Sequence, residues 1–365
     1  MTLVVATKLF EVPVLAGDFI VSSKGTTVPH MMVPTQPRLP SLMPAGAAWK
    51  ISGLRKKISI VRPELALGWS GSTIGARTLI RELREYQPIT PFTFASLSKF
   101  LSTLHDFGSN VVEVVGWVGS DAPTAFRWCS DCHRQIEAIG DVAIGSGAST
   151  WISAQPRAMS HFSATLVDPA ERAISAMLAK AAILLGSEVH TGSTLKHFSG
   201  YGLELIYWAQ GSFRYVDEVT YLMFDIEAVS PENFQGNIIP IIYKYKSFGQ
   251  HCIVQVTQLN SAGRRGAKSG DTFVSVITPV DNSMPDLDLK KIEPLSLRSD
   301  YYCVFIRWRL LGRGEFSGPI VLAADGNDDA FSFNSAHGIE YISLKNAFVS
   351  SLIRNMSSYK PPFLR

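Results

Sequence analysis

The 365 residues carry a net charge of +3, with 46% hydrophobic and 18% charged side chains. That balance describes a chain that folds around a core and excludes a disordered one, and its scattered charges exclude a nucleic-acid-binding surface. Lys8, Glu11 and Asp18 interrupt the first apolar stretch and no apolar run is long enough to cross a bilayer, so the expectation is a soluble, cytoplasmic protein with no membrane partner.

Taken in chain order, residues 2–22 read as two short strands, "TLVVATKLF" and "VPVLAGDFIVSS", both rich in β-branched residues and separated by a turn at Glu11. Residues 28–48 contain prolines at 29, 34, 37, 40 and 44, which forbid regular structure and predict an excursion or lid. "LRKKISIV" and "ELALGWSGS" predict two further strands around Arg62-Pro63. Beyond Gly71-Ser72, "TIGARTLIRELREY" and "TFASLSKFLSTLHDF" space their apolar residues as amphipathic helices do. "NVVEVVGWVGSD" and "DVAIGSGAS" follow as strands on either side of the polar "RWCSDCHRQ". A long Ala/Leu-rich helix, "PAERAISAMLAKAAILLGSE", precedes the strands "GLELIYW" and "FRYVDEVTYLMF". This order fits two packed sheets with helices on both outer faces, a four-layer α/β arrangement. From about Asp225 strand-like runs broken by Gly, Asn, Asp and Pro predict a separate, mostly-β segment closed by the helix "SLKNAFVSSLIRNM".

The cysteines Cys129, Cys132, Cys252 and Cys303 are too few for a disulfide scaffold. "CSDCH", Cys129 to His133, matches the C-x-x-C-H pattern of haem attachment, but nothing supports export or a second axial ligand. No second C-x-x-C or H-x-x-x-H completes a zinc set. The expectation is no cofactor and no metal.

"TLVVATKLFEVPVLAGDFIVSS", "KKISIV", "LALGWSGSTIGA", "VVGWVG", "AIGSGAS" and "GLELIYW" resemble, in that order, the framework of proteasome β subunits and their bacterial relatives, the N-terminal-nucleophile (Ntn) threonine peptidases. The resemblance covers residues 2–225. It implies an αββα sandwich of Ntn-hydrolase type over residues 1–225, with residues 226–365 an extension of unknown role. It also implies a peptide or protein substrate and assembly into a homo-oligomer, a ring being the family's form. Residue by residue, Thr2 matches the nucleophile, Asp18 the acid that orients the site lysine, and Lys57 that lysine. Gly71 matches the glycine whose N–H forms the oxyanion hole, and Ser146 the serine near the nucleophile's amine.

The chemistry stands without the family. A threonine hydroxyl needs a base, and a free α-amine on the same residue, of ordinary pKa about 7.7–8.0, can serve. A neighbouring ammonium such as that of Lys57 would lower the amine's pKa and favour its basic form. A fixed N–H at Gly71 could stabilise a developing oxyanion by roughly 3–4 kcal/mol. Three departures from the family pattern support a second reading, a catalytically degenerate structural or binding protein. "LKHFSGYG" offers Lys196 and His197 where an aspartate is usual, with His197 a partial substitute through hydrogen bonding. Trp69 stands where relatives carry a smaller pocket residue, and the proline-rich excursion is longer than in those relatives.

Overall fold

A computed structural model of the chain describes residues 2–25, 31–36, 48–86, 90–104, 107–131, 136–154, 168–228, 233–248, 250–258, 271–281, 295–310, 314–323, 330–336 and 339–357. The apolar start builds a hairpin. Val4–Leu9 (β1) and Val12–Asp18 (β2) pair antiparallel, and the turn between them holds Phe10 and Glu11 at φ 50° and 67°, the left-handed pair that suits the twist of a two-residue hairpin. The run expected as one strand from Val12 divides at Phe19, where Ile20–Lys24 (β3) leaves to pair with Trp49–Leu54 (β4). Hydrogen bonding accounts for the break. The Phe19 N–H donates to the Gly200 carbonyl at 3.2 Å and its carbonyl accepts from Arg55 N–H at 2.9 Å, so the backbone is satisfied by other segments at this point.

Ile58–Arg62 (β5), Leu65–Gly71 (β6), Val112–Val118 (β7), Thr124–Cys129 (β8) and Glu137–Ala138 (β9) form one antiparallel sheet in sequence order. The first half of the polar stretch is therefore strand, because Ala125, Phe126 and Trp128 bury while Thr124 and Arg127 do not. Val142–Ile144 (β10), Leu203–Ala209 (β11) and Ser212–Tyr215 (β12) join β1 and β2 in a second sheet ordered β10-β1-β2-β11-β12. The two sheets lie face to face, with Val4, Ala6, Leu15, Ile58, Ala66, Val115 and Ile206 between them. Thr73–Glu85 (α1) and Phe94–Thr103 (α2) bury Leu79, Ile80, Leu83, Leu97 and Leu101 on the outer face of the first sheet. Ser72 and Thr93 cap their N-termini through side-chain acceptors.

After Ala148–Ser153 (α3), Pro169–Thr191 (α4) packs on the outer face of the second sheet. Asp168 caps it, Pro169 occupies its first turn, and Gly192 at φ 62° ends it before Ser193–Lys196 (α5). This helix is long and apolar enough to span a bilayer, but it is mostly buried, because a third sheet covers its far side. That sheet comprises Glu218–Ala228 (β13), Phe234–Phe248 (β14), His251–Gln258 (β15), Asp271–Ile277 (β16), Tyr301–Leu310 (β17) and Gly314–Ala323 (β18). Its order is β16-β15-β14-β13-β17-β18, with only the β13–β17 pair parallel. Phe305 sits so close to α4 that a Cβ on Gly186 would lie 2.7 Å from its ring. The hairpin Phe331–Ala336 (β19) and Ile339–Leu344 (β20), with Asn346–Ser357 (α6), closes the opposite face. The fold is mixed α/β and predominantly β. The mostly-β segment expected from about Asp225 has its first strand at Glu218 and shares a buried cluster with α4.

Close approach of the two inner sheets rests on missing side chains. A Cβ at Gly68, on β6, would lie 2.3 Å from Val4 Cγ1, on β1 of the facing sheet. Gly68→Ala is therefore expected to lower stability by about 1–3 kcal/mol. A urea titration should show the loss as a lower midpoint at unchanged slope.

Candidate active site

The hairpin register decides what meets the start of the chain. Val4 pairs with Gly17, so Asp18 comes level with Leu3 and beside Thr2. The Asp18 side chain is fully buried. Its Oδ1 accepts the Thr2 hydroxyl at 2.8 Å and Leu3 N–H at 3.0 Å, while Oδ2 accepts Gly200 N–H at 2.9 Å. Three donors from two distant stretches thus converge on one carboxylate. Burial nevertheless pushes the Asp18 carboxyl above its ordinary range, outweighing the Lys57 charge and the hydrogen bonds that favour the ionised form.

Lys57 enters just before β5, alongside Gly17, whose hypothetical Cβ would lie 3.0 Å from Lys57 Cβ. It is 2% exposed, and its ammonium stands 4.5 Å from the centre of the Trp69 ring. Burial lowers its pKa to about 8, against the opposing pull of Asp18. Trp69 itself is buried beneath the helix pair. Its N–H donates to the Lys57 carbonyl at 3.0 Å and its indole N–H to the Lys56 carbonyl at 3.3 Å. The indole thus forms a wall of the lysine's compartment. Neighbouring Lys56 serves elsewhere: it makes a buried ion pair of 2.7 Å with Glu204, and its N–H donates to the Thr278 carbonyl.

A second glycine-lined loop holds the backbone of Thr2. Gly147 N–H donates to the Thr2 carbonyl at 3.0 Å, and Gly145, at φ 86°, approaches so closely that a Cβ would lie 2.2 Å from that carbonyl oxygen. Ser146 lies between them, and its hydroxyl donates to the His197 carbonyl. His197 meets this loop through its backbone carbonyl. Gly71 ends β6 at φ 96°, exposed, with Val111 and Val112 as its neighbours. The structure accordingly brings Thr2, Asp18, Lys57 and the Ser146 loop together, and places Gly71 two residues beyond Trp69 at the exposed end of β6.

One residue of this region went unread in the sequence. Glu188, in the last turn of α4, is 1% exposed. Its carboxylate accepts the Thr35 hydroxyl, the Thr194 hydroxyl at 2.9 Å and Tyr201 N–H at 2.9 Å. Burial raises its pKa to about 7, with the Asp18 charge acting in the same direction. Gln36 adds hydrogen bonds of 3.1 Å to the Glu188 and Val189 carbonyls. Of the proline-rich stretch, residues 31–36 therefore dock on α4, while residues 28–30 and 37–47 lie outside the described residues, as do Cys132 and His133 of the C-x-x-C-H pattern. Cys129, half-buried at the end of β8, is a free thiol. Among the described residues no group of three His, Cys, Asp or Glu side chains is placed to hold a metal.

A comparison with protein-family models finds no match for this chain, and a comparison with curated proteins finds none either.

Two outcomes follow from the buried acids and the lysine. Asp18 raises the Lys57 pKa, so Asp18→Asn should drop it below about 8, as read by pH-dependent reductive methylation of Lys57. Glu188 has a folded pKa of about 7 against an ordinary 4.5, so it favours folding most at low pH and loses that contribution as pH rises through 7. Melting temperature should fall between pH 5 and pH 7.5, and Glu188→Gln should flatten that decline.

Proposed function

We propose that the chain is a threonine-type N-terminal-nucleophile hydrolase that cleaves amide or peptide bonds once Met1 has been removed. The observation that carries the reading is the Thr2 hydroxyl donating to a buried Asp18, with a buried Lys57 beside them. A hairpin residue with no role beyond its strand has no need of two sequestered ionisable groups, each of which burial disfavours in its charged form. The packing order of helix pair, sheet, sheet and long helix supports the same reading, as a four-layer Ntn-type sandwich.

With Met1 gone, the Thr2 hydroxyl turns its proton from Asp18 to the freed α-amine, which accepts it as Oγ1 bonds to the substrate carbonyl carbon. The C–N bond then breaks, and the same proton passes to the leaving amine. Thr2 is left as an ester. Water, deprotonated by the same amine, attacks the ester, releases the acid and restores the hydroxyl. Lys57 keeps the amine's pKa low, Asp18 orients the hydroxyl, and Gly147 fixes the Thr2 backbone. Gly71 N–H is the donor assigned to the oxyanion, a role that requires substrate to bind along the exposed end of β6. A peptide segment is the substrate class, and a cytoplasmic homo-oligomer is the working assembly.

A second reading, a degenerate structural or binding protein, is favoured by one observation: Thr2 has no exposed surface. Intact mass separates the two. Protein purified from native expression should lack one methionine and form a covalent adduct with a peptide vinyl sulfone at Thr2. Thr2→Ala should abolish amide hydrolysis and labelling, and Thr2→Ser should keep both. Retention of Met1 with no adduct would establish the degenerate reading.

A further inference from the structure

Resting on the proposed hydrolase site, we infer that Glu188 is its positioning acid, setting the turn that presents Gly200 N–H to Asp18. Ser199 to Gly202 connect α5 to β11, and successive amides of that turn point at different carboxylates: Gly200 at Asp18, Tyr201 at Glu188, both at 2.9 Å. The two N–H groups lie in successive peptides that flank the Gly200 Cα, so one pair of Gly200 dihedrals has to satisfy both acids at once.

The turn would not hold this shape unaided. Gly200, Tyr201 and Gly202 have φ of 126°, 59° and 84°, three consecutive residues on the positive side, and Tyr201 is not a glycine. Besides the Phe19 N–H on the Gly200 carbonyl, two contacts at Tyr201 fix it. Glu188 takes the Tyr201 N–H, and the Tyr243 hydroxyl donates to the Tyr201 carbonyl at 2.8 Å. The fit is tight at the acid, since a Cβ on Gly200 would lie 2.1 Å from Glu188 Oε2. Glu188 also accepts from Thr194 in α5, which precedes the turn, and from Thr35, so three chain segments are registered on one carboxylate.

Glu188 acts on the nucleophile through the turn, from Tyr201 N–H through Gly200 N–H to the Asp18 oxygens that hold the Thr2 hydroxyl, in addition to its direct electrostatic coupling to Asp18. This differs from a general contribution to folding. Losing it should leave substrate binding on the exposed side unchanged and slow the bond-making step.

The test uses the full-length, Met1-free protein. Labelling of Thr2 by a peptide vinyl sulfone is resolved into its binding constant and its maximal rate, and hydrogen exchange is followed at the Gly200 and Tyr201 amides. Glu188→Ala should lower the maximal labelling rate at least tenfold at an unchanged binding constant and speed exchange at both amides. Glu188→Gln, which keeps an oxygen for the Tyr201 amide, should recover most of the rate. If Glu188→Ala fails to fold, Glu188→Met, which fills the same space without an acceptor for the Tyr201 amide, carries the test, and normal protection of both amides in that variant would overturn the proposal. Wild-type labelling rate and amide protection in folded Glu188→Ala would overturn it equally. Should wild type fail to label, the hydrolase reading falls, while exchange at Gly200 still decides whether Glu188 sets the turn.

Discussion

Everything around the start of the chain depends on keeping one carboxylate in a dry interior. Asp18 has no exposed surface, and the cost of burying it is offset by donors that the chain can supply only when several distant parts are in place. Thr2 and Leu3 come from its own hairpin, Gly200 comes from beyond α4, and Lys57 comes from the edge of the facing sheet. The site is therefore a junction of the fold, and its geometry is inseparable from the seating of the two sheets.

The two ionisable partners show how narrow the balance is. Burial raises Asp18 and lowers Lys57, so their attraction does not fully compensate the loss of water for either. A lysine poised near 8 differs from an ordinary surface lysine: near neutral pH it can shift between charged and neutral forms in response to a proton on a neighbour. Trp69 belongs to this electrostatic setting. Its ring faces the ammonium, and its indole N–H is spent on a backbone carbonyl, so it shields the lysine without competing for its proton.

Parts of this arrangement were legible in the residues alone, for identifiable reasons. The β-branched runs and the tight turn between them set the β1–β2 register, and register alone carries a residue sixteen positions after Thr2 back to its side. The long helix was readable from its Ala/Leu content. Glu188 was not, because α4 is covered on both sides, and a helix buried nearly all round has no polar face against which an inward-pointing acid stands out. The split at Phe19 was hidden for a similar reason: the apolar run continues unbroken, and only hydrogen bonds to Gly200 and Arg55 end the strand. Tertiary partners, absent from any local window, made both decisions.

The third sheet gives the chain a temporal order. Tyr243 and Ser275 reach back from β14 and β16 to Tyr201, and Thr278 to Lys56, so residues made late in synthesis brace the surroundings of the first ones made. A ribosome-bound fragment holding only the first two sheets lacks those braces. The surroundings of the amino terminus are thereby completed only once the last sheet has been made, and a chain truncated before it would hold Thr2 and Asp18 without the contacts that brace the Tyr201 turn.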